Sequence, residues 1–286
     1  MEIAWIGTGI MGSRMVRRLE SAGVSVKAWS RPSEPEAEPR YGAFTRGADV
    51  VVTMVGTPAD VQAVYFGEGG VLETASRSQL LVDMTTSSPT LAREIAAAAS
   101  AVGAEALDAP VSGGPVGAES GSLSIMVGGQ AHGVRRAAEL FEPLARSVVH
   151  QGAPGSGQTA KLMNQLLVAA VTAATGEVFR LAQARSLNRD ALLQSMLAGA
   201  AGSPLVEFIW DRLDAADNSP GYRLTHLSKD LSLLALEARG SEATPSHLDA
   251  PALQFLQDRV AHAIELFGSD VGSQTLGIAG EREHIG

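Results

Sequence analysis

Three groups of residues in this 286-residue chain have types and spacings that support chemistry. The first, Gly7-Thr8-Gly9-Ile10-Met11-Gly12, reads G-x-G-x-x-G. It follows the apolar run Ile3 to Ile6 and opens a helix-like segment, the setting in which such a turn receives a dinucleotide pyrophosphate. Gly7 serves the tight turn, Gly9 the close approach of the phosphates and Gly12 the packing of helix on strand. Amides of the turn around Ile10 and Met11 then face the anion. The second group, Asp108-Ala-Pro-Val-Ser-Gly-Gly114, follows a strand end, and Ser112, Gly113 and Gly114 offer a hydroxyl and unobstructed backbone amides to a carboxylate. In the third group Lys161, Asn164 and Gln165 stand at i, i+3 and i+4, so three polar heads share one face of a helix otherwise rich in Leu, Val and Ala. Taken singly, each has an ordinary structural explanation: a strand-to-helix turn, a glycine turn, a solvated lysine. Their combination points to chemistry on a small anionic substrate beside a bound dinucleotide.

The dinucleotide itself is read from the end of the second strand. Ser30 and Arg31 follow Gly12 by 18 and 19 residues, where an NAD site usually carries Asp or Glu for the ribose 2′-hydroxyl and an arginine can pair with the 2′-phosphate of NADP. The reading favours NADP(H), with NAD(H) as the alternative. Glu34, Glu36 and Glu38 lie nearby as competing ribose acceptors.

Composition narrows the field. The net charge is −9 and no Lys/Arg cluster is apparent, so nucleic acid is not an expected partner. There are no cysteines, which removes disulfides, thiolate metal sites and cysteine nucleophiles, and a cytoplasmic setting is expected. The six histidines show no metal-ligand spacing, and no metal is expected. Residues Met1 to Met15 lack the basic start and unbroken apolar stretch of an export signal. The apolar run Leu162 to Ala174, interrupted by Asn164 and Gln165, falls short of the roughly 20 residues of a bilayer span, so no membrane segment is expected.

The elements that must position these groups follow from periodicity. From Glu2 to about His150, short β-like runs alternate with helix-like segments, which predicts parallel strands with crossover helices on both faces. The strands are Glu2 to Ile6, Ser25 to Trp29, Val50 to Val55, Leu80 to Asp83, Glu105 to Leu107, Leu123 to Val127 and Ser147 to His150. Helices are expected over Met11 to Ser21, Pro58 to Tyr65, Thr90 to Ala101 and His132 to Leu144. A glycine-rich link, Gly152 to Gly157, then leads into a long helix from about Gln158 to Arg185. Beyond it only helical periodicity remains, in Arg189 to Leu197, Leu205 to Leu213, Leu224 to Ala238 and Pro251 to Phe267. The expected architecture is an N-terminal α/β, Rossmann-type doubly wound sheet over residues 1–152, followed by an all-helical substrate and oligomerisation domain over 153–286.

With these motifs in this order, the chain resembles the β-hydroxyacid dehydrogenase family, which includes 3-hydroxyisobutyrate dehydrogenases and tartronate semialdehyde reductases. The resemblance covers nearly the whole chain. It rests on Gly7 to Gly12, the strand end Val82 to Pro89, Asp108 to Gly114 with Gly117 and Gly121, the Lys161 helix, and Lys229-Asp230. It implies an NAD(P)-dependent oxidoreductase that interconverts a small β-hydroxy acid and its semialdehyde, with Lys161 as general acid/base and Asn164 and Gln165 orienting substrate and lysine. It further implies Ser112, Gly113 and Gly114 on the substrate carboxylate, Thr86 beside the nicotinamide and Lys229 reaching the cofactor from the helical domain. A homodimer or homotetramer is expected, both from the apolar surface of the long helix and from the resemblance.

Three positions depart from the family pattern. Gln165 stands where many members have a second Asn, and Tyr222, seven residues before Lys229, where relatives often carry Phe. The link from Arg31 to Asp49 is short and holds Pro32, Pro35 and Pro39, so the second crossover helix is expected to be reduced or absent. Two rival readings are an imine reductase of the same fold, against which Lys161 argues, and a non-catalytic NADP-binding sensor, which has no need of Lys161, Asn164 and Ser112 together.

Overall fold

The structure is a computed structural model that describes residues 1–29, 41–239 and 249–279. It divides into two compact units, Met1–Lys161 and Leu162–Gly286. In the first, strands and helices alternate as β1 (Ile3–Ile6), α1 (Gly12–Ser21), β2 (Val26–Trp29), α2 (Tyr41–Thr45), β3 (Val50–Thr53), α3 (Pro58–Phe66), α4 (Val71–Thr74), β4 (Leu80–Asp83), α5 (Pro89–Ala101), β5 (Glu105–Asp108), β6 (Val111–Ser112), α6 (Gly114–Ser120), β7 (Leu123–Gly128), α7 (Ala131–Arg136), α8 (Ala138–Phe141) and β8 (Ala145–Gly152). The sheet order is β2-β1-β3-β4-β5-β7-β6, with β8 on β7. Strands β1, β3 and β4 are buried along their whole length, as parallel strands covered on both faces must be.

Side-chain alternation divides the core between the two faces of the sheet. Ile3 and Trp5 of β1 pack with Met15 and Leu19 of α1. Ile6 belongs to the other side, with Val61 and Tyr65 of α3 and Ile95 of α5. Each of these buried side chains contributes about 1.5–3 kcal/mol of transfer free energy. Helix α3 starts in a capping box between Thr57 and Asp60, and α5 starts at Pro89 under the hydroxyl of Ser88, which accepts from the amides of Thr90 and Leu91.

The expected all-parallel sheet is corrected at one edge. Strands β1 to β5 are parallel, but β7 runs antiparallel to both β5 and β6. The connection from β5 holds only the two-residue β6 and the seven-residue α6, which turn the chain back along the sheet instead of carrying it across a face. The helix expected over His132 to Leu144 is two pieces that meet at Ala137, whose ψ of −2 interrupts the helical backbone. The second crossover retains the five-residue α2, while Ser30, Arg31 and the prolines of that link lie outside the described residues.

The second unit is helical. Helix α9 (Ser156–Ala184) begins before the division between the units and continues through it, followed by α10 (Arg189–Ala198), α11 (Pro204–Asp214), α12 (Leu224–Ala238), α13 (Pro251–Phe267) and a 3₁₀ segment, Ser273–Ile278. Asn188 and Ser203 cap α10 and α11 through their side chains. Leu162, Ala169 and Ala173 of α9 form one core with Leu227 and Leu231 of α12, Leu256 and Val260 of α13, and Leu276. Gly176 lies so close to the 3₁₀ segment that a Cβ there would sit 2.1 Å from the Cα of Gly277.

The long helix expected from about Gln158 to Arg185 is present as α9 (Ser156–Ala184). Helix α9 runs for 29 residues and is, among the described residues, the one helix long and apolar enough by length and composition to cross a membrane. It supplies the core side chains Leu162, Ala169 and Ala173 just described.

Candidate active site

The turn after β1 is built by sterics. Gly7 has φ +100, and a Cβ on it would lie 2.2 Å from the carbonyl oxygen of Met54. A Cβ on Gly12 would lie 2.0 Å from the carbonyl oxygen of Gly7, which also accepts a hydrogen bond from Trp5 Nε1 at 2.8 Å. Gly9 differs: among the described residues no atom lies within 4 Å of its Cβ position. Two glycines are therefore fixed by protein packing and the third by nothing among the described residues, which is the pattern of a backbone kept bare for a ligand at a helix N-terminus. Ile10 is exposed and Met11 half-buried beside it, leading into α1.

Two strands further along the sheet, β4 ends in Asp83-Met84-Thr85-Thr86-Ser87. Thr85 and Ser87 are buried, and Thr86 between them is partly exposed. Thr85 is pinned on both sides: its hydroxyl accepts from the amide of Val55 at 3.0 Å, and its own amide donates to Asp83 Oδ1 at 3.1 Å. Ser112, Gly113 and Gly114 lie at the junction of β6 and α6, and α6 is joined to α1 by the Arg14–Glu119 ion pair at 3.9 Å.

The start of α9 is tied to this sheet. Asp108, at the end of β5, accepts from the amide of Gly155 through Oδ1 and from that of Gln158 through Oδ2, both at 2.8 Å. Its carboxylate thus satisfies first-turn donors that the helix itself leaves unpaired. Burial pushes the Asp108 carboxyl above its ordinary range, and the amides of Gly155 and Gln158 work in the opposite direction. Lys161 is the last residue of this unit and only 6% exposed.

Asn164, Gln165 and Lys229 belong to the second unit, where they are linked through two residues, Tyr222 and Asp230. Asn164 Nδ2 donates to Gln165 Oε1 at 3.1 Å. Gln165 Nε2 donates to Tyr222 Oη at 2.6 Å and to Asp230 Oδ2 at 2.9 Å. Tyr222 in turn donates its hydroxyl proton to Asp230 Oδ2. Burial, then the charge of Asp230, push the Tyr222 phenol well above its ordinary value, so it stays protonated and can make that donation. Lys229 Nζ completes the group with an ion pair to Asp230 Oδ1 at 3.0 Å.

Sequence reasoning missed Gln158, whose side chain meets the loop after β4, and the clamp formed by Asp108. It also missed the junction of Gln165 with Tyr222. One signal was available: Gln158 stands three residues before Lys161 and shares its helix face. The positions of Ser30 and Arg31 lie outside the described residues.

Comparison with known proteins accords with this geometry. The family model described as the NAD binding domain of 6-phosphogluconate dehydrogenase matches residues 2–152. The model described as the NAD-binding of NADP-dependent 3-hydroxyisobutyrate dehydrogenase matches residues 155–270. An uncharacterized oxidoreductase of Bacillus subtilis is 38% identical, over 82% of this chain and 85% of its own. The 2-hydroxy-3-oxopropionate reductase of Escherichia coli is 32% identical over 84% and 85%. Among solved structures, a 3-hydroxyisobutyrate dehydrogenase of Mycobacterium tuberculosis, determined with L-serine, is similar with a TM-score of 0.81 and 29% identity over 97% of this chain and 98% of that one. Ordered motifs, an interior strand that runs into a bare glycine turn, a helical second unit and these matches lead to one conclusion: the chain belongs to the β-hydroxyacid dehydrogenase family.

Proposed function

We propose that this chain interconverts a small β-hydroxy acid and its semialdehyde, with Lys161 as the general acid and base. It is an NAD(P)-dependent dehydrogenase that acts on a CH–OH group. The open side of Gly9 and the turn at Gly7 fit a dinucleotide pyrophosphate, which Gly7, Gly9, Ile10, Met11 and Gly12 would hold. When bound, the nicotinamide cofactor supplies the acceptor or donor of the hydride. In oxidation, Lys161 Nζ as the free amine takes the hydroxyl proton while the carbinol carbon gives up its hydride and becomes a carbonyl. In reduction, the ammonium returns that proton to the carbonyl oxygen. Ser112, Gly113 and Gly114 hold the carboxylate, Thr86 flanks the nicotinamide, Asn164 and Gln165 orient the substrate, and Lys229 reaches the cofactor. Ser30 and Arg31 receive the adenosine ribose, with Arg31 selecting NADP(H).

One observation carries this reading: Lys161, withdrawn from solvent, lies on a helix whose first turn is bonded to the ends of β4 and β5. Ligands of open α/β sheets gather at such strand ends, so a lysine held there is suited to proton transfer. The test is NADPH and NADH turnover against tartronate, methylmalonate and succinic semialdehydes and glyoxylate. Lys161→Ala should lower kcat by about 100-fold or more and leave cofactor affinity intact; retained turnover refutes the assignment. We further propose a symmetric homo-oligomer, because Met163, Leu167 and Leu181 of α9 are exposed. Light scattering at micromolar concentration should give at least a dimer.

A further inference from the structure

Gln158 is fully buried, and its side-chain amide spans the backbone on either side of Thr86. Its Nε2 donates to the carbonyl oxygen of Thr85 at 2.7 Å, and its Oε1 accepts from the amide of Ser87 at 2.8 Å. This is the pairing a neighbouring strand would offer, supplied by one side chain after β4 has ended. The backbone of the same residue is held by Asp108, at 2.8 Å. One residue therefore joins the loop after β4, the end of β5 and the first turn of α9, and it lies one helical turn before Lys161, on the same face.

We propose that Gln158 is a positioning residue that locks the Thr86 peptide to the helical turn carrying Lys161, so that a single buried amide sets the register between the cofactor side of the reaction and its proton donor. This rests on the reading in which Thr86 flanks the nicotinamide and Lys161 moves the proton. Only an amide of this length serves both bonds. Glutamate keeps the acceptor for Ser87 but turns a carboxylate oxygen toward the carbonyl of Thr85. Methionine fills the same space and makes neither bond, and asparagine is one methylene too short to reach both.

The test compares Gln158→Met, Gln158→Glu and Gln158→Asn with wild type and Lys161→Ala. Amide hydrogen exchange over Met84–Ser88 should quicken by about tenfold or more in the Met and Glu variants, while β1 keeps its protection. With the preferred semialdehyde, kcat should fall by about 10- to 100-fold. The KM for cofactor should change by less than about threefold, as expected when orientation and not ground-state binding is lost. The primary isotope effect from cofactor deuterated at the nicotinamide C4 should rise. Unchanged exchange over Met84–Ser88 overturns the strut itself. Quickened exchange with wild-type kcat and isotope effect overturns its part in the reaction. Should Gln158→Met fail to fold, Gln158→Asn is read by the same measures. Full turnover in Lys161→Ala sinks the underlying reading, whereas a dead Lys161→Ala beside fully active Gln158 variants sinks only the positioning role.

Discussion

Adding one methyl group to the turn after β1 should have opposite effects at Gly9 and Gly12. At Gly12 the new Cβ would lie 2.0 Å from the Gly7 carbonyl oxygen and 3.1 Å from Trp5 Nε1, groups already hydrogen-bonded to each other. Both belong to a fully packed strand and turn, so the backbone must shift, at the upper end of overpacking costs, about 3 kcal/mol. For a unit of this size that corresponds to a Tm lower by roughly 6–12 °C. Gly9 has no atom of the described residues within 4 Å of its Cβ position, and its φ lies outside the left-handed region. Gly9→Ala should therefore stabilise the apo protein by about 0.4–1 kcal/mol through the unfolded chain. The same methyl projects into the space proposed for the pyrophosphate and should weaken NADPH and NADH by tenfold or more, about 1.4 kcal/mol. Thermal unfolding of the apo proteins and fluorescence titration with each cofactor separate the two effects. Wild-type affinity in Gly9→Ala would refute the dinucleotide's approach to this turn, and an unchanged Tm in Gly12→Ala would refute the packing argument.

Four further outcomes follow from the second unit. Tyr222→Phe leaves Gln165 Nε2 and Asp230 each short of a buried partner, and should cost about 1–3 kcal/mol in urea unfolding. Gln165→Asn shortens the same junction, so the two substitutions should be non-additive by about 0.5–3 kcal/mol, and additivity would dissolve the network. The His226 imidazole is held below its ordinary 6.5 by burial first and then by the Lys229 cation, with Arg223 acting in the same direction and Asp230 and Asp270 opposing. The unfolded chain then binds the proton first, so this contribution is present above pH 6.5 and is lost as pH falls through that value toward the folded one. The Tm should drop between pH 7.5 and 5.5, by less in His226→Gln; an equal drop removes His226 from the account. In an unconstrained helix Gly→Ala gains about 1 kcal/mol. Gly176→Ala should instead lose about 3 kcal/mol, because its Cβ would strike Gly277, and a raised Tm would contradict that contact.

Local pattern carried much of the fold. The limits of α12 and α13 follow directly from apolar periodicity and from Pro251 at a first turn, and the steric duties of Gly7 and Gly12 follow from their place between a strand and a helix. Strand direction did not follow. Alternation of side chains marks β7 as a strand but carries no sign of which way it runs, and α6 is too short to have shown the reversal. The candidate site was legible where a residue type is unusual for its surroundings, as with Lys161, the proposed general acid and base, on an apolar helix. It was illegible where an ordinary residue acquires its meaning from a distant one. Gln158 meets Thr85 from 73 residues away, and Gln165 meets Tyr222 from 57. Two of the three departures from the family pattern, Gln165 and Tyr222, stand apart in the sequence; the structure bonds them to each other.

The contact between Gly176 and Gly277 also sets an order of events during synthesis. The two glycines are about 100 residues apart, so at roughly 5–20 residues per second the ribosome releases Gly176 on the order of 5–20 s before Gly277 can cover it. Every strand of the sheet ends by Gly152, and that unit can close while translation continues. Helix α9 emerges next, yet its core partners in α12, α13 and the 3₁₀ segment are the last described elements to be made. For that interval the longest apolar helix among the described residues waits without its partners on the nascent polypeptide. It is there that slowed translation, or a chaperone that binds apolar helices, would most affect the yield of folded protein.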